Sequence, residues 1–153
     1  MKHFLILFLG LILSSSSFAQ NYKYEQDYFD KEKTNIKDSR GNLMGYMKKD
    51  YFDKTKTSIY DSNGNLIKTM KDDYFDEGRT NTFDSRGNKQ GSTKQDYFNT
   101  EKTNIFDRNG NIIGYREQDY FDKEKINVFN SRGTKTGYYK KNYFSGNWEY
   151  FDN

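Results

Sequence analysis

An all-β fold is predicted, built from tandem 23-residue β-hairpin repeats in an elongated antiparallel meander or β-solenoid-like array. Three observations predict it. The dipeptide Tyr-Phe returns every 23 residues, at Tyr28, Tyr51, Tyr74, Tyr97, Tyr120 and Tyr143. A glycine-bearing turn returns at the same interval, with Gly41, Gly64, Gly87, Gly110 and Gly133 in equivalent places. The stretches between are rich in β-branched and aromatic residues and carry no apolar stripe of helical period. A fixed period of this length is the mark of one small unit copied in tandem.

The first segment is set apart from the repeats. Lys2 and His3 precede an apolar run, Phe4 to Leu13, followed by small polar residues up to Ser17-Phe18-Ala19. That order predicts a signal peptide of residues 1–19, cut before Gln20. The run is about half of the roughly 20 residues that a membrane span requires, and no Cys follows it to carry a lipid anchor. The expected destination is the periplasm or the extracellular space of a bacterial envelope.

Residues 20–153 then form a single repeat domain. Its full copies are 27–49, 50–72, 73–95, 96–118 and 119–141, with 142–153 a terminal half-repeat. Residues 22–26 (YKYEQ) match the tail of a preceding copy, so the array starts and stops in mid-unit. In each copy Asp38-Ser39-Arg40-Gly41-Asn42 or its equivalent predicts a tight reversal. The leading Asp or Asn hydrogen-bonds its own backbone, and Gly accepts a positive φ. β-Formers flank the turn, as in Thr103-Asn104-Ile105-Phe106 before and Ile112-Ile113-Gly114-Tyr115 after, which predicts a hairpin. The polar stretch at Asp30-Lys31-Glu32-Lys33 is the second connection. About eleven strands follow, an array on the order of 50 Å long at about 4.8 Å per strand.

Apolar residues come in adjacent pairs, such as Tyr51-Phe52, Ile59-Tyr60 and Leu66-Ile67. Neighbours on a strand point to opposite faces, so both faces of the sheet are apolar. One ring of each Tyr-Phe pair is expected to be buried and the other exposed. No repeat buries enough to fold alone, so stability comes from stacking. Copy three, with Thr82, Lys89 and Gln90 where other copies hold Ile or Leu and Ser92 where others hold Tyr, is expected to kink or fray.

Composition removes several classes of function. The only His is His3 and there is no Cys, so Ser-His and Cys-His nucleophiles and the usual zinc ligands are missing from the repeats. The carboxylate pairs Asp50/Asp53, Asp73/Asp76 and Asp119/Asp122 recur, whereas an active site is singular; the expectation is no enzyme, no cofactor and no metal. Asp61–Asn65 and Asp107–Asn111 lack the spacing of a calcium-binding helical hand, with Leu66 and Asp72 where Gly and Glu belong. The 25 basic and 22 acidic residues are interleaved rather than segregated, which predicts no nucleic-acid footprint. No second apolar segment predicts a membrane span. Lys33, Lys56, Arg79, Lys102 and Lys125 are expected to form a solvated charge ladder with nearby Asp residues.

The aromatics carry the functional expectation. A repeated column of rings suits the faces of sugar rings, so Tyr28, Tyr51, Tyr74, Tyr97, Tyr120, Tyr143 and Trp148 are the candidate ligand contacts. Trp148 can equally cap the end of the array.

Two resemblances bear on the same segments. Tyr60-Asp61-Ser62-Asn63-Gly64-Asn65-Leu66 resembles the Y-D-x-x-G-x-L core of YD (RHS-type) repeats, with Phe83-Asp84, Phe106-Asp107 and Phe129-Asn130 as variants. That family's Arg-Tyr strand signature is absent. Its arrays wrap into a shell around a toxin, for which five copies are too few. Glu149-Tyr150-Phe151-Asp152 and Ile105–Gly110 are similar to the hairpins of choline- and glucan-binding cell-wall repeats, although Gly114-Tyr115 stands in for their Gly-Trp pair. Both imply β-hairpin repeats.

The function expected from these readings is a non-catalytic, exported binding module whose partner is a polysaccharide or an envelope protein. The alternative is an assembly protein that self-associates or docks through β-sheet edges.

Overall fold

The computed structural model describes residues 21–153. The expected signal peptide, residues 1–19, lies outside them. Twelve strands follow one another: β1 (Tyr22–Gln26), β2 (Lys33–Lys37), β3 (Leu43–Lys49), β4 (Lys56–Asp61), β5 (Leu66–Asp72), β6 (Arg79–Asp84), β7 (Lys89–Gln95), β8 (Lys102–Asp107), β9 (Ile112–Gln118), β10 (Lys125–Asn130), β11 (Lys135–Lys141) and β12 (Trp148–Asp152). Each pairs antiparallel with its neighbours in sequence, and β12 pairs with β1 to close a barrel. The hairpin meander is as expected; the elongated open array is not. Closure answers the problem posed by two apolar faces, because a single sheet in water can cover its inner face only by curling on itself.

The half-units at the two ends explain how the ring closes. The YKYEQ segment is β1, the second strand of a repeat, and the terminal half-repeat supplies β12, a first strand. Paired at Tyr22↔Tyr150, Lys23↔Glu149 and Tyr24↔Trp148, they complete a sixth hairpin without a turn.

Side chains alternate inward and outward along each strand. In register, the inward residues of the first strands are Ile36, Ile59, Thr82, Ile105, Val128 and Tyr150, with Thr34, Thr57, Thr80, Thr103, Ile126 and Trp148 two positions earlier. They face Met47, Met70, Thr93, Arg116, Tyr139 and Tyr24. The apolar core gathers on one side, where Tyr22, Tyr24, Tyr139 and Trp148 join Ile36, Met47, Ile59, Met70 and Ile126. The opposite wall is filled by Thr80, Thr82, Thr93 and Arg116, all buried. Burial pushes the Arg116 guanidinium down to about 10.

Copy three therefore neither kinks nor loses its pairing. β6 and β7 keep the same hairpin register as the other copies, including the shift between Thr82 and Phe83. Thr82, β-branched like the isoleucines at its place in other copies, holds the extended backbone while changing only what fills the interior.

Each hairpin contains that bulge, which leaves Met44, Ile67, Gln90, Ile113 and Thr136 as the extra residue. Immediately after it Gly45, Gly91, Gly114 and Gly137 are buried, each paired with an inward residue of the first strand. A Cβ on Gly114 would lie 2.5 Å from the Phe129 carbonyl oxygen of the next strand, so the close approach requires glycine. Lys68 takes this place in β5, and burial lowers the pKa of its ammonium.

Candidate functional site: the aromatic rim

Because the chain is a meander, its turns alternate between the two ends of the barrel. The five glycine turns lie at one end with the first and last described residues. All six Tyr-Phe pairs lie at the other, in the connections from β1 to β2, β3 to β4 and so on. The pairs are therefore not on strands, and the expectation of one buried and one exposed ring is corrected: both rings face solvent in every copy. The six Phe side chains are 93–95% exposed and the six Tyr 77–92%. Asp at either side of Tyr-Phe, with no β-branched residue between, makes a chain reversal where a strand pattern had been read.

Each tip is held by the residue before it, an aspartate in five copies and Asn142 in the last. In the first copy Asp27 Oδ1 accepts the amides of Phe29 (3.0 Å) and Asp30 (3.1 Å). The backbone closes with the Asp27 amide on the Lys33 carbonyl (2.9 Å) and the Lys33 amide on the Asp30 carbonyl (3.0 Å). The remaining oxygen, Oδ2, accepts a hydrogen bond from Asn35 Nδ2 at 3.0 Å, eight residues on. The same brace joins Asn81 to Asp73, Asn104 to Asp96 and Asn127 to Asp119, at 2.7–3.0 Å. In the terminal half-repeat donor and acceptor exchange places: Asn142 Nδ2 donates to Glu149 Oε1 at 3.2 Å. The amide donors hold the Asp27 and Asp119 carboxyls down to about 2, with Asn35 and Asn127 as the largest causes.

The asparagine column was missed in the sequence, although a signal was there. Asn is a poor strand former, yet it recurs mid-strand at Asn35, Asn81, Asn104 and Asn127.

In four tips the aspartate after Tyr-Phe reaches to the next strand, and in the fourth copy Asn99 donates to Glu117 instead. Asp30 pairs with Lys48 (2.7 Å), Asp53 with Lys71 (2.9 Å), Asp76 with Lys94 (2.6 Å) and Asp122 with Lys140 (3.3 Å). Asp53 is held down to about 2, first by the Thr55 hydroxyl and then by Lys71. Gln26 and Gln118 add amide donors to tip carbonyls, at 2.7 Å to Lys31 and 2.8 Å to Lys123. The rings themselves meet edge to face in all six pairs, with centroids 5.0–5.5 Å apart and planes at 84–87°.

Trp148 is not part of this surface. It is buried in the barrel and lies opposite Tyr24 at the seam, so its place among the ligand contacts is corrected to the core. The basic column does more than form a charge ladder. Lys33, Lys56 and Lys125 lie 3.5–3.6 Å from Asp27, Asp50 and Asp119. Lys33, Arg79, Lys102 and Lys125 also lie 4.4–5.0 Å from the rings of Tyr46, Phe106, Tyr115 and Tyr138 on the outer wall. The three tyrosine rings stack in turn on the neighbouring strand, as Tyr46 does on Tyr60 at 4.9 Å.

The glycine turns use their aspartates locally. Asp38 Oδ1 takes the Arg40 and Asn42 amides, and Oδ2 the Asn42 side chain, at 2.8–2.9 Å. Among the described residues no three His, Cys, Asp or Glu side chains cluster as metal ligands do.

No family model and no curated protein matches the chain. Among solved structures it is similar to the crystal structure of an Arabidopsis thaliana protein, at a TM-score of 0.65 and 14% identity over 88% of this chain and 80% of that one. At that identity the likeness is one of fold.

Proposed function

We propose that this is a non-catalytic binding module, exported to the envelope or beyond, whose contact surface is the aromatic rim. The single observation that carries the reading is the sixfold repetition of a fully exposed, internally braced Tyr-Phe tip. Large apolar side chains so exposed, gathered at one end of a molecule, mark an interaction site. Repetition suits an extended partner, because weak contacts at fixed spacing multiply. The polysaccharide favoured by the sequence is one such partner.

The carboxylates of the rim support the non-catalytic reading. A general acid has a raised pKa, whereas Asp50, Asp53, Asp73, Asp76 and Asp119 are all lowered by the amides and cations that hold them. The alternative of assembly through sheet edges finds no unpaired strand among the described residues.

The test is a pull-down of residues 20–153 on insoluble polysaccharides and whole envelope fractions. Retention lost in a folded Tyr51→Ala, Tyr97→Ala, Tyr120→Ala protein supports the rim; retention unchanged in that variant removes it.

A further inference from the structure

Taking the rim as the contact surface, we infer that its partner is the interfacial layer of a lipid bilayer, into which the six Tyr-Phe tips insert while the barrel stands on the surface.

The shape of the rim points to a plane. Six tips of one repeat, at one end of a closed cylinder, present six Phe and six Tyr rings at a common height. The two rings of each tip meet edge to face, so a pair does not form one continuous flat platform for a sugar ring. A lipid interface asks for apolar area and for Tyr hydroxyls near the headgroups, not for a platform.

Lipid insertion also demands that backbone groups bring their hydrogen bonds with them. The tips meet that demand behind the rings, while the Tyr28 amide and the Tyr28 and Phe29 carbonyls at the apex are left for the hydrated headgroup layer. The amides of Phe29, Asp30, Glu32 and Lys33 are all bonded within the loop, and Gln26 covers the Lys31 carbonyl. The same set recurs at Asp119–Lys125. The carboxylates just behind the rings are offset by lysines of the next strand, Asp30 by Lys48 and Asp76 by Lys94. No cationic field draws the rim to anionic lipid.

The outer wall says how deep the molecule goes. A barrel that crosses a bilayer carries an apolar band outward. Here the outward mid-strand positions are Asn35, Ser58, Asn81, Asn104 and Asn127, and cations cover the outer rings. Only the tips suit lipid.

The experiment is vesicle flotation of the mature chain, purified after export with its N-terminus determined. Phosphatidylcholine vesicles are compared with vesicles containing one-third phosphatidylglycerol, in low and in 1 M salt. A Phe52→Ser, Phe98→Ser, Phe121→Ser variant with an unchanged unfolding curve is run beside it. The expected result is flotation with both lipids, insensitive to salt, and reduced at least tenfold in the variant. Absence of flotation overturns the inference. So does flotation confined to anionic vesicles, abolished by salt, or unchanged in the variant. If the protein ignores vesicles but the polysaccharide pull-down retains it through the same rings, the bilayer falls and the rim stands. If neither partner holds it, both readings fail.

Discussion

The two ends of the barrel are made from the same device and put it to different use. At the glycine rim, Asp38 turns the chain within five residues and bonds only its own loop. At the aromatic rim, Asp27 also braces Asn35, Asp30 ties to Lys48, and the Lys49 amide donates to the Glu32 carbonyl. Reversing a chain requires the first set of bonds but not the second. Most of the cross-bracing surrounds twelve rings that contribute little to the core, and a rigid mount for exposed apolar groups is what a binding surface requires.

The comparison is broken most strongly at the glycine end. Gly114→Val sets a side chain against the Phe129 carbonyl, and overpacking of this kind costs about 1–3 kcal/mol. Urea denaturation is expected to show that loss, whereas Lys68→Gly, at the equivalent place in β5, shows little. Next comes turn geometry. Gly110 has φ +87°, so Gly110→Ala costs about 1–2 kcal/mol. Gly78, at φ +78°, sits at an aromatic tip where the other copies hold Glu32, Thr55, Glu101 and Glu124 without a positive φ. Gly78→Ala is expected to cost less than Gly110→Ala, because the tip backbone can relax to the conformation that the non-glycine residues of the other copies adopt.

Acid tests the aspartate mounts. Asp27, Asp53 and Asp119 are lowered from 3.8 to about 2 in the folded barrel. A depressed carboxyl contributes stability that is complete above its unfolded value and lost as pH falls through the folded one. Thermal unfolding is thus expected to weaken between about pH 4 and pH 2, and Asn127→Ala to shrink that loss. The smallest effect belongs to the rings. Tyr97→Ala with Phe98→Ala should leave stability within about 0.5 kcal/mol, measured by the same denaturation, while removing one tip from the proposed contact surface.

The sequence announced the repeat, the glycine turns and the strands on either side of them, because Asp-x-x-Gly and β-branched runs are local signals. Closure was not local. The same 23-residue period serves an open array or a ring, and the choice rests on twist accumulated over twelve strands and on two half-units finding each other. The Tyr-Phe pair was misplaced for a related reason. Aromatic residues favour strands on average, and only the flanking aspartates, with their amide-binding oxygens, mark the pair as a turn. The interior threonines of copy three looked like weakness by hydropathy, yet their branching suits the extended backbone.

The seam between β1 and β12 sets an order of events. Tyr22 and Tyr150, which touch across it, stand at almost opposite ends of the described chain. Their union carries the largest loop-closure cost in the molecule. Until Trp148–Asp152 has been synthesised, a nascent cylinder has two raw borders, β1 and the latest finished strand. Such borders invite pairing with other chains. Closure thus waits on Trp148–Asp152, and a product lacking that strand would lose it, leaving a curled sheet prone to aggregate.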